Sequence, residues 1–410
     1  MTERIEPNAM APDRLTPPLL MDGGTAALYS TQQGAEESHL LAQWLADHPH
    51  TTAQAQREFV AAGCDILTVS DHWDPASRKG DLTGMAHTRS AAGVNAVVAG
   101  AMGSTGLVCE PFGDTPYLDL MDLYAHRALD LKEAGAELLL LDGMVSLAEA
   151  RAALLGARQT KLPVYVSFTV DEEGRTATGA DLLASLVTLQ HLGAAAVGFH
   201  YPGDRITTLQ LLGHIAPYAT VPVFVRLTAE GVTEEFLEGF SITPEEMEHY
   251  ATQALRAGAG ILAAGDGATA QHMAAIKRAV VDFQPEDCVI EKDRETLVAA
   301  CADQPFFLDN DHLEFSQPIE CYFDMSDDII AAEDEGCDVL AIHVRSVEGA
   351  YNLGLNAHMI RVPVCLTADS IEALEAALLY YVGRAMVDSL SDVEELSLRQ
   401  LAEGYGAIVI

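Results

Sequence analysis

Eight short apolar runs, separated by stretches of helix length, set the rhythm of the first two thirds of the chain. They are Leu19 to Asp22, Ile66 to Ser70, Ala96 to Met102, Leu138 to Asp142, Val164 to Val170, Ala196 to His200, Val223 to Thr228 and Ile261 to Gly265. Most are apolar throughout rather than alternating, as expected of parallel strands covered on both faces. Helices are predicted between them over Glu36 to Ala46, Leu118 to Ala134, Leu147 to Gln159, Asp181 to Leu192 and Pro244 to Ala257. The last opens Thr243-Pro-Glu-Glu246, an N-cap hydroxyl followed by Pro and by Glu at the third helical position. Gly63, Gly135 and Gly258 are suited to end helices in the left-handed conformation. An α/β fold follows: a (β/α)8 TIM barrel over residues 16–282, after an N-terminal arm at 1–15.

In such a barrel the chemistry sits at the C-terminal strand ends. Those tips carry Asp22, then Asp71 and His72, Asp142, Thr169 and Asp171, His200 and Tyr201, and Asp266. Gly265-Asp-Gly267 closes the eighth strand, which must pair with the first.

Beyond residue 282 the pattern loosens into a linker, 283–304, with a short amphipathic helix expected in it. A second βα series fills 305–410, with strands at Phe306 to Asp309, Asp338 to Val344, Pro363 to Thr367, Ala385 to Ser389 and Ala407 to Ile410. Helices are predicted at Asp327 to Glu335, Glu348 to Met359, Ile371 to Tyr381 and Val393 to Glu403. Five strands form a smaller open α/β sheet. Its uncovered edge invites a partner strand, so a homodimer is expected.

Charge narrows the partners. Sixty-one acids against 23 bases give a net charge of −38, which repels a phosphate backbone and excludes nucleic acid. The acids are scattered along helices, the mark of a solvated surface rather than a trap for cationic substrates. No apolar run reaches membrane-span length and the start has no secretory pattern, so the cytoplasm is the expected location. The seven cysteines contain no Cys-x-x-Cys pair and read as reduced thiols.

Three strand-end motifs carry a resemblance. Asp22-Gly-Gly-Thr25, Val98-Ala-Gly-Ala-Met-Gly-Ser-Thr-Gly106 and Ser167-Phe-Thr-Val-Asp-Glu-Glu-Gly-Arg-Thr-Ala-Thr-Gly179 together resemble the homocysteine S-methyltransferase family, especially the homocysteine-binding module of cobalamin-dependent methionine synthase. From Asp327 onward the chain resembles the front portion of the pterin-binding barrel that follows this module. Pro363-Val-Cys-Leu-Thr-Ala-Asp-Ser370 and Tyr405 to Ile410 carry that likeness, with Asp388-Ser-Leu where an Asn-Ser motif is usual.

The resemblance implies a small-molecule substrate and methyl transfer to a homocysteine-type thiol, in methionine biosynthesis or one-carbon metabolism. It implies that Asp22 and Gly23 lie near the amino-acid part of the substrate. Asp142 stands where the family has a glutamate for the amino group, and Thr68-Val-Ser-Asp71 replaces a usual Glu-Thr-Asn-Thr. The family holds zinc on three cysteine thiolates, and the aligned positions here are Tyr201, Gly265 and Asp266. Zinc is thus expected from the family while its ligands are absent. No cobalamin-binding module is legible and the methyl donor is unidentified; a corrinoid- or folate-pathway protein is an expected partner. Two other readings stand beside this one: a catalytically inactive binding or regulatory homologue, and an enzyme with a different metal at His200 and Asp266. Against the metal stand plainer roles, with Asp266 capping the helix near Thr269 and His200 hydrogen-bonding at its strand end. His272 is expected to serve the core or a cap.

Overall fold

The computed structural model describes residues 15–22, 49–69, 73–74, 79–80, 83–231, 239–308 and 313–410. The expected helix at Glu36 to Ala46 and the candidates Gly23, Asp71 and His72 lie outside the described residues, and so does Asp309.

All eight runs form strands: β1 Leu19–Met21, β2 Ile66–Val69, β3 Val97–Met102, β4 Leu138–Met144, β5 Val164–Thr169, β6 Ala196–His200, β7 Val223–Leu227 and β8 Ala259–Ala264. They close into one barrel in which every pairing is parallel. Closure runs through Leu19, Leu20 and Met21 opposite Ile261, Leu262 and Ala263. Around the strands lie α1 Pro49–Ala61, α2 Thr83–Ala92, α3 Tyr117–Ala134, α4 Leu147–Ala157, α5 Leu182–His191, α6 Arg205–Ile215, α7 Pro244–Arg256 and α8 Ala270–Asp282.

The unbroken apolar runs have a two-sided cause. Met21, Ile66, Val97, Ala99, Leu138, Leu140, Tyr165, Ala196, Phe224, Ile261 and Ala263 pack together inside the barrel. Their neighbours in sequence, such as Leu20, Leu67, Val98, Leu139, Val166, Val197, Val225 and Leu262, pack outward on the helices. Period two is present, but both faces are buried and hide it from a polarity count. The capping box at Thr243 forms as the sequence predicts. Gly135 (φ 103°) ends α3 in the left-handed region.

The C-terminal part holds a five-stranded, wholly parallel sheet: β11 Ile319–Glu320, β12 Leu340–Val344, β13 Val364–Ala368, β14 Met386–Val387 and β15 Ile408–Val409, in that order. Its helices are α9 Ser326–Asp334, α10 Val347–Asn356, α11 Ile371–Tyr380 and α12 Glu395–Tyr405. Two expectations are corrected. The run at Phe306 is not the sheet's first strand, because β10 Pro305–Leu308 pairs antiparallel with β9 Leu297–Ala300 as a hairpin. The helix expected in the linker is replaced there by β9. Val298 and Ala300 pack on the barrel's helices while Ala299 packs toward the second sheet, and alternate burial on two sides is strand geometry.

Arginines tie the two parts together. Arg151 of α4, 2% exposed, donates to the carbonyls of Leu378 and Leu379 and to the Tyr117 hydroxyl at 3.1 Å. Arg158 donates to the Gly404 carbonyl at 2.7 Å, and Arg384 to those of Val298 and Gly406 at 2.8 and 2.9 Å. Each guanidinium fills carbonyl lone pairs that would otherwise be buried empty at the seam.

Candidate functional site

The inward parity of each strand decides which tip residues converge. Arg226 follows the inward-facing Phe224 by two, Asp142 follows Leu140, Ser167 follows Tyr165 and His200 lies four beyond Ala196. All four therefore belong to the lumen face at the C-terminal mouth. The ladder of β4 with β5 shifts register between Leu141 and Met144, which frees Asp142 from regular pairing.

Asp142 and Arg226 form the centre. Arg226 Nη2 donates to Asp142 Oδ1 at 2.5 Å, with side-chain exposures of 9% and 29%, so the pair is largely desolvated. Ser167 donates to the same oxygen at 2.9 Å and accepts from the Gly143 amide at 3.0 Å. Arg226 reaches from β7 past β6 and β5 to do this, with its guanidinium 5.6 Å from the Phe224 ring centre. Oδ2 of Asp142 accepts no hydrogen bond among the described residues.

His200 stands beside this pair. Its Nε2 is 3.4 Å from Thr228 Oγ1 and 3.5 Å from Asp266 Oδ2. Burial and the positive Arg226 pull its pKa below the ordinary histidine value, against the opposing carboxylates of Asp266 and Asp142. At neutral pH it is an uncharged imidazole with a weakly engaged nitrogen at the mouth.

Asp266 does not cap the following helix. Thr269 is the N-cap of α8 and His272 completes the box: the Thr269 amide donates to His272 Nδ1 at 3.1 Å, and Nε2 lies 2.9 Å from the Ile242 carbonyl. An accepting Nδ1 leaves the proton on Nε2, so His272 has the capping role the sequence suggested. The Asp266 side chain is 46% exposed and turned to His200, while its carbonyl accepts from the amides of Ala229 and Glu230 at 2.8 and 3.0 Å.

The remaining motif residues build the frame. Asp22 is 1% exposed and its Oδ1 accepts the Thr68 amide at 3.0 Å, fastening the tips of β1 and β2. The Gly103 to Gly106 loop is held by Glu149, which was not singled out in the sequence. Ser104 Oγ and Thr105 Oγ1 each donate to it at 2.5 Å, the Thr105 amide at 2.7 Å and Tyr124 at 2.9 Å. The Asp171 to Gly179 loop is tied internally, with the amides of Glu173 and Arg175 on Asp171 Oδ1 and Arg175 Nη1 on the Gly179 carbonyl. Arg226, Ser167 and Thr228 were also missed. Arg226 had a signal, a lone charge inside an otherwise apolar strand two residues beyond an inward phenylalanine.

Tyr201, Gly265 and Asp266, the positions that the resemblance aligns with zinc ligands, do not fit that metal. An ideal Cβ on Gly265 would lie 2.8 Å from the main chain of Leu227 and Thr228, so this backbone has no space for a thiol there. Burial, then the carboxylates of Asp204 and Glu172, push the Tyr201 phenol up, away from the anionic form. Cys109, on the loop after β3, is pushed up to about 11 by burial and by Glu149 and Glu110. Cys64 is buried before β2, at the opposite barrel end, with Sγ 3.0 Å from the Ile66 carbonyl. His200 and Asp266 supply two donors, and among the described residues no group of three His, Cys, Asp or Glu side chains could hold a metal ion.

Comparison with known proteins agrees with this frame. Methionine synthase from Mycobacterium tuberculosis is 26% identical over 239 residues, covering 54% of this chain and 20% of that protein. Its counterpart from Mycobacterium leprae is 29% identical over 138 residues, covering 32% and 11%. The chain thus spans a fifth or less of the length of these curated relatives. The metallated form of the homocysteine methyltransferase MmuM from Escherichia coli superposes with a TM-score of 0.52 at 17% identity, covering 65% of this chain and 97% of that one, which shows a shared fold. Residues 19–280 match the model of the homocysteine S-methyltransferase family, and the chain belongs to that family.

Proposed function

We propose that the barrel binds a homocysteine-type amino-acid thiol at its C-terminal mouth and transfers a methyl group to its sulfur. The observation that carries this is the arrangement of Asp142: both Arg226 and Ser167 occupy Oδ1, which leaves Oδ2 for a substrate ammonium. Arg226 pairs with that carboxylate and brings positive charge to the side where the substrate carboxylate would lie. Asp22 sets the β1 tip on the amino-acid side of the proposed pocket.

The thiol is handled without a metal. Neutral His200 accepts the S–H proton on Nε2, where Asp266 stabilises the imidazolium. The thiolate forms a bond to the methyl carbon of an electrophilic donor, and the broken methyl bond leaves its electron pair with the donor. General-base help of this kind contributes roughly 10²- to 10⁴-fold. The methionine synthase relatives support methyl transfer as the reaction class; the donor, and a corrinoid- or folate-pathway partner protein, belong to the same proposal.

Calorimetric titration with L-homocysteine tests the pocket. The intact chain binds it, and Asp142→Asn weakens binding by about tenfold or more through loss of the charged contact. Equal affinity in Asp142→Asn would move the amino group elsewhere. Among the described residues no helix is long and apolar enough to cross a membrane.

A further inference from the structure

At the end of the barrel away from the mouth, the α5 C-terminus, the segment leading into β7 and the chain before β9 enclose a cavity of ≈560 Å³ with Arg384 from the second sheet. This volume is in the range of small-molecule sites. Its polar lining runs against the net charge of the chain. In a chain with 23 bases and 61 acids, Lys292, Arg294 and Arg384 face it together with His191, against a single acid, Asp293.

That acid is already satisfied. Asp293 accepts the amides of Glu295 and Thr296 at 3.1 and 3.0 Å and the Thr296 hydroxyl at 2.8 Å. The cations are not. Arg384 uses Nε and Nη1 on the carbonyls of Gly406 and Val298, and its Nη2 donates to nothing among the described residues. Lys292 spends two donors on the carbonyls of Ala216 and Ala219 at 2.7 and 3.1 Å, which leaves one. Arg294 makes no hydrogen bond or ion pair among the described residues. Burial, and after it the charge of Arg384, draws His191 down to about 4. Pro217, Val221, Leu297 and the Tyr218 ring, which lies 5.2 Å from Phe307, add apolar surface to the same lining.

We infer that this cavity is a binding site for a small organic phosphate, its dianion on Arg294, Arg384 and Lys292 and its body against Tyr218. The unspent fork of Arg294, the remaining Nη2 of Arg384 and the third ammonium proton of Lys292 line one cavity and suit phosphate oxygens. The occupant touches both the barrel and the second sheet, so it stabilises their junction by mass action.

Calorimetry on the full chain with adenosine 5′-monophosphate, inorganic phosphate and adenosine tests this. The monophosphate binds saturably at one site, inorganic phosphate more weakly, and adenosine at least about tenfold more weakly than the monophosphate. Arg294→Glu, which removes no hydrogen bond seen here, abolishes monophosphate binding, Lys292→Met weakens it, and His200→Asn leaves it unchanged, so it is read separately from the mouth. Circular dichroism melts confirm that the variants fold. Equal binding of adenosine and its monophosphate, no saturable heat at millimolar ligand, or undiminished binding in folded Arg294→Glu would overturn the inference.

Discussion

Two histidines stand among carboxylates at the C-terminal ends of parallel strands, one at the barrel mouth and one on the second sheet, and their surroundings give them opposite characters. His200 has one nitrogen at 3.4 to 3.5 Å from Thr228 and Asp266, is mostly buried and sees Arg226. His343 on β12 has Nδ1 3.0 Å from Glu320 and Nε2 2.7 Å from Asp369, while Arg345 grips Glu320 through Nε and Nη2 at 2.7 and 2.6 Å. Burial pulls His343 down, but the hydrogen bonds to Asp369 and Glu320 outweigh it and hold the ring above its ordinary value. The first is an uncharged ring with a weakly engaged nitrogen. The second is an imidazolium whose two N–H groups are both spent holding strand ends together. Similar residue types thus give an uncharged ring or a staple, according to desolvation and the sign of the nearest charge.

The sharpest break of this contrast is at His200. His200→Asn lowers the methyl-transfer rate by roughly 10² to 10⁴ while homocysteine still binds, measured as kcat against calorimetric affinity. A parallel loss of affinity would make it a binding residue instead. Arg226→Met strands Asp142 without its cation and lowers stability by about 3–5 kcal/mol in urea unfolding, with homocysteine binding lost as well. An unchanged urea midpoint would show that the pair is not desolvated.

Acid titration separates buried from stapled histidines by sign. His191, drawn to about 4, resists a proton that the unfolded chain accepts near 6.5. Stability is therefore complete above about pH 6.5 and falls by roughly 3 kcal/mol as pH drops toward 4, and His191→Gln flattens that slope. His343 runs the other way: its contribution is present below about 6.5 and fades as pH rises through its elevated folded value. The smallest effect is expected at Glu320→Gln, which costs under about 1 kcal/mol because the cluster is partly solvated, yet lowers the His343 midpoint seen by NMR. An unmoved midpoint would remove Glu320 from the account.

Much of this was legible in the residues. The eight barrel strands, their closure and the capping of α7 follow from apolar runs and from local helix-start chemistry, which are short-range signals. The cluster at the mouth was half legible. Asp142, His200 and Asp266 are strand-tip residues and could be found by position, but which atoms meet depends on inward parity and on the offset within β4. Arg226 and Glu149 act across the fold, so no local pattern names their partners. The β9–β10 hairpin was misread for a related reason: whether Leu297–Ala300 is helix or strand is decided by two packing surfaces that come together only in the folded chain.

The proposed thiol pocket works without zinc, although the family expectation is a zinc thiolate. The most direct measurement is calorimetric titration of the purified chain with L-homocysteine in a chelator and again with added zinc, alongside mass spectrometric assay of bound metal. The same affinity in both, with no stoichiometric metal, is the predicted result. Binding that appears only with zinc, or one zinc retained per chain, would contradict it.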